Sequence, residues 1–298
     1  GRVQPCGHRA ARAAARRAAK VSRVSTADDL PALMAVSAWR IESGRVSVVA
    51  DAVVEEVPVA LVYNGISHAV MLATPTDLDD FALGFSLTEG LIAGPSDLLD
   101  VDVVPTELGI ELHLSVTASS FQGFKATRRQ LSGRTGCGLC GRESLARAIL
   151  EVAPVPRRLG VSLGALERAI AALPDAQSLH RQSGGVHAAA WVGRDGDIQL
   201  LREDVGRHNA LDKLIGAVTQ RRIDTASGFV VITSRASHEL VHKAACVGIE
   251  LLAAVSAPTA LAVRNAGAAG LTLAGWLRKD GFSIYSHPER IVQAPGTL

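Results

Sequence analysis

The chain has 298 residues, of which 48% are hydrophobic and 20% are charged, and its formal net charge is +2. This composition is typical of a globular protein, and no apolar run is long and charge-free enough to predict a membrane span. Seven basic and no acidic residues lie within residues 1–23. The mildly acidic remainder therefore gives no support to nucleic-acid binding. Four cysteines in a chain of this length do not indicate a secreted disulfide scaffold, so a reducing, cytoplasmic compartment is expected.

The first third predicts an extension followed by a small α+β domain. Residues 1–35 are interpreted as a disordered basic extension and linker, with linker-like composition up to residue 44. From residue 45, short β-branched runs predict strands, and Asn64-Gly65 predicts a hairpin between two of them. A helix over 76–91 and strands over 98–104 and 110–116 complete a domain assigned to residues 36–120.

Residues 121–142 are predicted to form a mobile, glycine-rich loop that carries Cys137 and Cys140. Residues 143–298 then predict an α/β domain, because strand and helix patterns alternate. The predicted helices of this domain are 143–152, 163–173, 209–220, 237–255 and 258–270. The predicted strands are 185–193, 198–201, 229–233, 271–277 and 282–285.

The Cys137-x-x-Cys140 pair leaves several chemistries open. A structural zinc site needs about four ligands, and no second Cys-x-x-Cys exists. Cys246 lies in an apolar helical pattern and is interpreted as a core residue. The spacing of a zinc deaminase is absent, and no thioredoxin-like context precedes the pair. A sulfur carrier, which holds sulfane sulfur as a persulfide on a mobile loop, ranks level with redox chemistry at this point.

Several motifs resemble those of the FdhD family, the formate dehydrogenase accessory sulfurtransferases. The most specific is the run REDVGRHNALDKLIG at residues 202–216. The others follow in the order of that family: TGCGLCG at 135–141, GGVHAA at 184–189, SRAS at 234–237, KA at 243–244, SAPT at 256–259 and GWLRKDGFSIY at 275–285. The resemblance covers residues 45–292, and the basic extension has no counterpart in it. Trp276 and His238 depart from the family pattern, which usually has phenylalanine and an aromatic residue there.

The resemblance implies a function, a fold and partners. Such proteins take sulfur from a cysteine desulfurase and pass it to the molybdenum or tungsten bis(molybdopterin guanine dinucleotide) cofactor of formate dehydrogenase. A small N-terminal α+β roll and a three-layer α/β domain similar to cytidine deaminase are implied, in a homodimer. The cofactor is bound as substrate, and no permanent metal is expected.

The resemblance also implies roles for individual residues. Cys137 matches the persulfide carrier, with Cys140 as its partner thiol. The segment credited with holding the cofactor is matched by Trp276, Leu277, Arg278, Lys279, Asp280 and Gly281. Phosphate or guanine contacts are also expected, with less support, from Ser234, Arg235, Ser237, Arg207 and His208.

Structural roles and other functions remain open from the sequence. Trp276 is equally compatible with a place in the core, and Arg207 and His208 with a helix cap and ion pair. His187 is interpreted as a core histidine. The alternative functions are a cofactor-binding chaperone that transfers no sulfur and a zinc-stabilised binding module.

Overall fold

A computed structural model describes residues 30–132 and 154–292. It begins with an antiparallel hairpin of strands β1 (Leu33–Glu42) and β2 (Arg45–Val54). The predicted linker up to residue 44 was therefore wrong from residue 33 onward; residues 1–29 lie outside the described part. Ser43 and Gly44 both have positive φ, as a tight hairpin turn requires, and they close the two strands. Trp39 and Ile41 on this hairpin are exposed.

The next unit is the expected α+β roll, a four-stranded sheet covered by a helix. Its elements are β3 (Val57–Tyr63), β4 (Ile66–Ala73), α1 (Leu78–Thr88), β5 (Leu98–Thr106) and β6 (Gly109–Val116). The strand order is β4-β3-β6-β5, with β3 and β6 parallel and the other pairs antiparallel. The apolar face of α1, including Phe81 and Phe85, is buried in the core of this unit.

A helix replaces the first half of the predicted cysteine loop. Helix α2 spans Ala118–Ser132, so the loop prediction was wrong for residues 121–132. Thr117 begins the helix, because its Oγ1 accepts the backbone N–H of Ser120. Phe124 is buried in the roll core and Phe121 packs against it. This cap and the apolar anchors outweigh the helix-weakening effect of Gly123. Cys137, Cys140 and the predicted helix 143–152 lie outside the described residues.

The last unit is a three-layer α/β domain, as expected. Its strands are β7 (Val161–Ser162), β8 (His187–Gly193), β9 (Ile198–Asp204), β10 (Gly228–Ile232), β11 (Leu251–Ala254), β12 (Thr272–Arg278), β13 (Gly281–Ser286) and β14 (Ile291–Val292). Its helices are α3 (Leu163–Ala176), α4 (Ser178–Ser183), α5 (Arg207–Gln220), α6 (His238–Cys246) and α7 (Ala260–Ala269). The main sheet has the order β13-β12-β11-β10-β8-β9. Helices α5, α6 and α7 bury one of its faces, and α3 buries the other.

The predicted helix over 237–255 is two elements. Helix α6 ends at Cys246, and β11 follows as a buried strand parallel to both β10 and β12. The break occurs at Gly248, whose φ of +77° suits glycine. The backbone N–H groups of Gly248 and Ile249 bond to the carbonyls of Ala245 and Ala244 and close the helix end.

Helices α1 and α5 join the roll to the α/β domain at backbone contact. A Cβ atom added to Gly84 would lie 1.8 Å from the carbonyl oxygen of Asp212, and one on Gly216 would lie 1.9 Å from that of Asp80. Only glycine permits this approach at both positions. Among residues 30–132 and 154–292, no helix is both long and apolar enough to cross a membrane.

Candidate functional site

The predicted site residues of the α/β domain lie along one row of strand ends of the main sheet, which we call the sheet edge. Strands β10, β11 and β12 are parallel, so their carboxyl ends meet at this edge. Strand β8 is antiparallel to β10 and β9 is antiparallel to β8. The start of β8 and the end of β9 therefore lie at the same edge, which is where ligands bind in sheets of this kind.

Three loops are tied together at this edge by backbone hydrogen bonds. The N–H of Ala236 bonds to the carbonyl of Ala257 at 3.2 Å, and the N–H of Thr259 bonds to the carbonyl of Ala236 at 3.0 Å. The N–H of Trp276 bonds to the carbonyl of Ser256 at 3.2 Å. The loop 255–259 thus brings Ser234, Arg235 and Ser237 into one neighbourhood with the segment 276–281.

Trp276 occupies an unusual backbone conformation within β12. Its φ is +58°, and the pairing of β12 with β13 is interrupted between Gly275 and Arg278. Positive φ is costly for a bulky residue and is found most often where the surroundings enforce it. The bulge turns Trp276 outward, where 48% of its surface is exposed. Its indole is therefore available as a stacking face, and the alternative that Trp276 lies in the core does not hold.

The other residues of the segment 276–281 divide into one buried and several exposed positions. Leu277 is buried under the sheet, whereas Arg278, Lys279, Asp280 and Gly281 are exposed. The guanidinium of Arg278 donates to the carbonyl oxygen of Val255 at 2.6 Å. This bond holds Arg278 beside the loop that follows β11, close to the other candidate residues.

The serines of the loop after β10 differ in their contacts. Ser234 is buried, and its hydroxyl donates to the carbonyl of Arg235. Ser237 precedes helix α6, but its hydroxyl makes no cap bond. Within the described residues, the buried Oγ of Ser237 has no hydrogen-bond partner at all. A buried hydroxyl without a partner is costly, and here it stands at a helix N-terminus, where anions bind.

Arg207 and His208 begin helix α5 at the other end of the same edge. Nε2 of His208 lies 2.7 Å from a carboxylate oxygen of Glu239 on helix α6. Burial lowers the pKa of His208, and the Arg207 charge adds to this against the opposing effect of Glu239.

Burial and Arg207 also lower the pKa of His187, which is only half-buried. His187 is therefore not a fully buried core histidine.

A cleft of about 730 Å³ lies between the roll and the α/β domain, and the sequence did not reveal it. Its polar lining comes mainly from Glu89, His208, Asp212, His238, Glu239, His242, Lys243 and Cys246. The ammonium of Lys243 contacts carboxylates of Asp212 at 3.0 Å and Glu89 at 2.8 Å. Burial raises the pKa of Asp212 to about 6 even beside Lys243. A sequence signal for this wall did exist: His238, His242 and Cys246 recur every fourth residue on one helix.

Cys246 is exposed in this cleft, so its interpretation as a core residue was wrong. In the part of the chain that the structure describes, no three His, Cys, Asp or Glu residues are grouped so as to hold a metal ion.

The fold and the site define a mixed α/β protein with a candidate ligand site at the strand ends, beside an interdomain cleft. A family model described as the FdhD/NarQ family matches residues 54–292. The chain belongs to the FdhD/NarQ family.

Similar proteins cover most of the chain. A protein named sulfur carrier protein FdhD from Cupriavidus necator is 52% identical over 257 residues, which are 86% of this chain and 88% of that one. Proteins of the same name from Bordetella petrii and Xanthomonas campestris are 50% and 51% identical, over 82% and 85% of this chain and 88% and 90% of theirs. A crystal structure of a putative formate dehydrogenase accessory protein from Desulfotalea psychrophila aligns with a TM-score of 0.71 at 23% identity. It covers 88% of this chain and 100% of that one, and it supports the fold.

Proposed function

We propose that this protein is a sulfur carrier that supports formate dehydrogenase by delivering sulfur to its guanine-dinucleotide molybdenum cofactor. The observation that carries the proposal is the 52% identity over 86% of the chain to a protein named sulfur carrier protein FdhD. The thiols of Cys137 and Cys140 supply the chemistry that a carrier needs.

The sulfur would arrive as a persulfide from a cysteine desulfurase. The Cys137 thiolate attacks the outer sulfur of the desulfurase persulfide, and the desulfurase thiolate leaves. Attack of Cys140 on the inner sulfur of the new persulfide then releases the outer sulfur as sulfide and forms a disulfide between the two cysteines. The thiol pair thus provides the two electrons that convert sulfane sulfur into a sulfide ligand for the metal.

The sheet edge supports the cofactor part of the proposal. From the end of β9 to the end of β12 it extends over four strand spacings, or roughly 19 Å, which suits an elongated dinucleotide. Trp276 would stack on guanine, while Arg278, Arg235 and the N-terminus of α6 at Ser237 would meet phosphate. Lys279 and Arg207 would add positive charge at the two ends of the edge.

The sulfur transfer is tested by mapping the carrier residue. With a cysteine desulfurase and sulfur-labelled cysteine, we expect labelled persulfide on Cys137 of the full chain. The Cys137→Ala variant should lose this label and fail to restore formate dehydrogenase activity in cells that lack the endogenous protein. Cys6→Ser provides a thiol control that should leave both results unchanged. Full restoration by Cys137→Ala would instead favour a chaperone that transfers no sulfur.

The cofactor site is tested with GDP as a simple probe. Because stacking of a base on an aromatic ring contributes about 1–3 kcal/mol, we expect Trp276→Ala to weaken GDP binding by about tenfold. Trp276→Phe should retain most of the affinity, since it keeps an aromatic face. Isothermal titration calorimetry measures both. Equal affinity of Trp276→Ala and the unchanged protein would remove Trp276 from the site.

A further inference from the structure

Helix α6 presents a thiol and an imidazole to the interdomain cleft. Sγ of Cys246 lies 3.3 Å from Nε2 of His242, one turn earlier on the helix. Ala244 and Ala245, the residues immediately before Cys246, are buried. Cys246 itself is exposed and lines the cleft. The helix therefore turns its aliphatic residues inward and leaves this thiol accessible to a molecule in the cleft.

The surroundings keep both partners uncharged at neutral pH. Burial lowers the pKa of His242, and the nearby Lys243 charge adds to this effect. Burial raises the pKa of the Cys246 thiol. Nδ1 of His242 is buried without a hydrogen-bond partner among the described residues, so no other group competes with the thiol for this imidazole. A neutral imidazole at hydrogen-bond distance from a thiol is the arrangement that general-base activation of cysteine requires.

The charged groups around the pair contact one another, and the carboxylates of Glu89, Asp212 and Glu239 outnumber the ammonium of Lys243 in the lining. Lys243 contacts Asp212 and Glu89, and Glu239 contacts His208. The roll also contributes the apolar side chains of Met71, Phe85 and Leu87 to the lining. The volume of about 730 Å³ falls in the range of small-molecule sites. The cleft thus offers an accessible, base-assisted thiol in a cavity of small-molecule size.

We propose that the interdomain cleft is a second sulfur-receiving site, in which Cys246 accepts the sulfane sulfur of a persulfide and His242 acts as the base. A bond forms between Sγ of Cys246 and the outer sulfur of the donor, and the sulfur–sulfur bond of the donor breaks. The thiol proton passes to Nε2 of His242 and then to the departing donor thiolate. One persulfide is consumed and one is formed, so the step requires no oxidant or reductant.

The donor is either a free low-molecular-mass persulfide or the persulfide carried on Cys137. The second source rests on the proposed sulfur-carrier function, whereas the first does not. Cys6, Cys137, Cys140 and Cys246 are the four cysteines of the chain. A variant with serine at the first three positions therefore isolates Cys246 and distinguishes the two sources.

The test uses the full chain and sulfur-labelled glutathione persulfide, with the label located by peptide mass spectrometry. If the donor is free persulfide, the variant that retains only Cys246 acquires label at this residue. If the donor is the Cys137 persulfide, label reaches Cys246 only in the unchanged chain, after desulfurase loading. Label on Cys137 of the unchanged chain, with no label on Cys246 of either protein, would overturn the inference and leave the proposed function standing. Label on Cys246 of the variant, with no label on Cys137 of the unchanged chain after desulfurase loading, would support the inference and count against the proposed function.

The role of His242 is tested by the rate of labelling. Because general-base assistance contributes about 10²-fold or more, His242→Gln should slow labelling of Cys246 by about 100-fold. His113→Gln is the control, since His113 pairs with Glu111 on the surface of the roll. Circular dichroism checks that each variant is folded. A folded His242→Gln variant that is labelled at the unchanged rate would rule out the base.

Discussion

Replacing Asp204 by asparagine should lower the free energy of unfolding by about 3–5 kcal/mol, the usual effect of removing one partner of a buried ion pair. The side chains of Asp204 and Lys213 are both fully buried, and their charged atoms lie 2.7 Å apart. The ammonium of Lys213 also donates to the carbonyl oxygen of Thr74 at 2.9 Å, but a carbonyl cannot neutralise its charge. Burial already lowers the pKa of Lys213 against the opposing effect of Asp204.

The matched variant Lys213→Met should cost less than Asp204→Asn. The Asp204 carboxylate retains three N–H donors, from the backbone of Thr74 and Gly206 and from the side chain of Asn209. The double variant should lose less stability than the sum of the two single losses, because the pair disappears together. Urea unfolding followed by tryptophan fluorescence measures all three. Additive losses would show that the two side chains are not energetically coupled.

This ion pair shows what the sequence can and cannot predict. The run at 202–216 contains both Asp204 and Lys213, and the resemblance identified it as the most specific motif of the chain. Its contact with Thr74, 139 residues before Lys213, follows only from the packing of the roll onto helix α5. The sequence thus indicates that the motif is significant, but only the structure shows that the motif joins the roll to the α/β domain.

The sheet edge could be predicted because it follows from local sequence patterns. The cleft could not, because it depends on long-range packing. Strand, loop and helix patterns place polar loops at the carboxyl ends of parallel strands, so Ser234, Ser237 and the segment 276–281 could be expected together. The cleft depends on which face of α6 meets the roll. Lys243 of helix α6 contacts Glu89, which lies 154 residues earlier in the sequence. Local sequence patterns carry no information about such a contact.

Two local errors have identifiable physical causes. Phe121 and Phe124 bind helix α2 to the roll, and this tertiary packing overrides a polar, glycine-containing sequence. The helical pattern of 237–255 appeared continuous because buried helices and buried strands are both apolar. Gly248, with its positive φ, is the residue at which α6 ends and the chain turns toward β11.

Replacing Gly84 by alanine should lower the free energy of unfolding by about 3 kcal/mol, the upper end of overpacking costs. The new Cβ would lie 1.8 Å from the carbonyl oxygen of Asp212, so helices α1 and α5 must separate. That movement displaces the residue that pairs with Lys243, and the cleft wall shifts with it. Gly216→Ala should act similarly, since its Cβ would lie 1.9 Å from the carbonyl oxygen of Asp80.

Gly267→Ala on helix α7 is the matched control. A Cβ added there meets no atom within 4 Å, so only the helix propensity changes. Alanine should then stabilise the protein by about 0.5–1 kcal/mol, opposite in sign to Gly84→Ala. Thermal and urea unfolding of the three variants give the comparison. A Gly84→Ala variant as stable as Gly267→Ala would contradict the close helix contact, because the same methyl group would then be accommodated in both places.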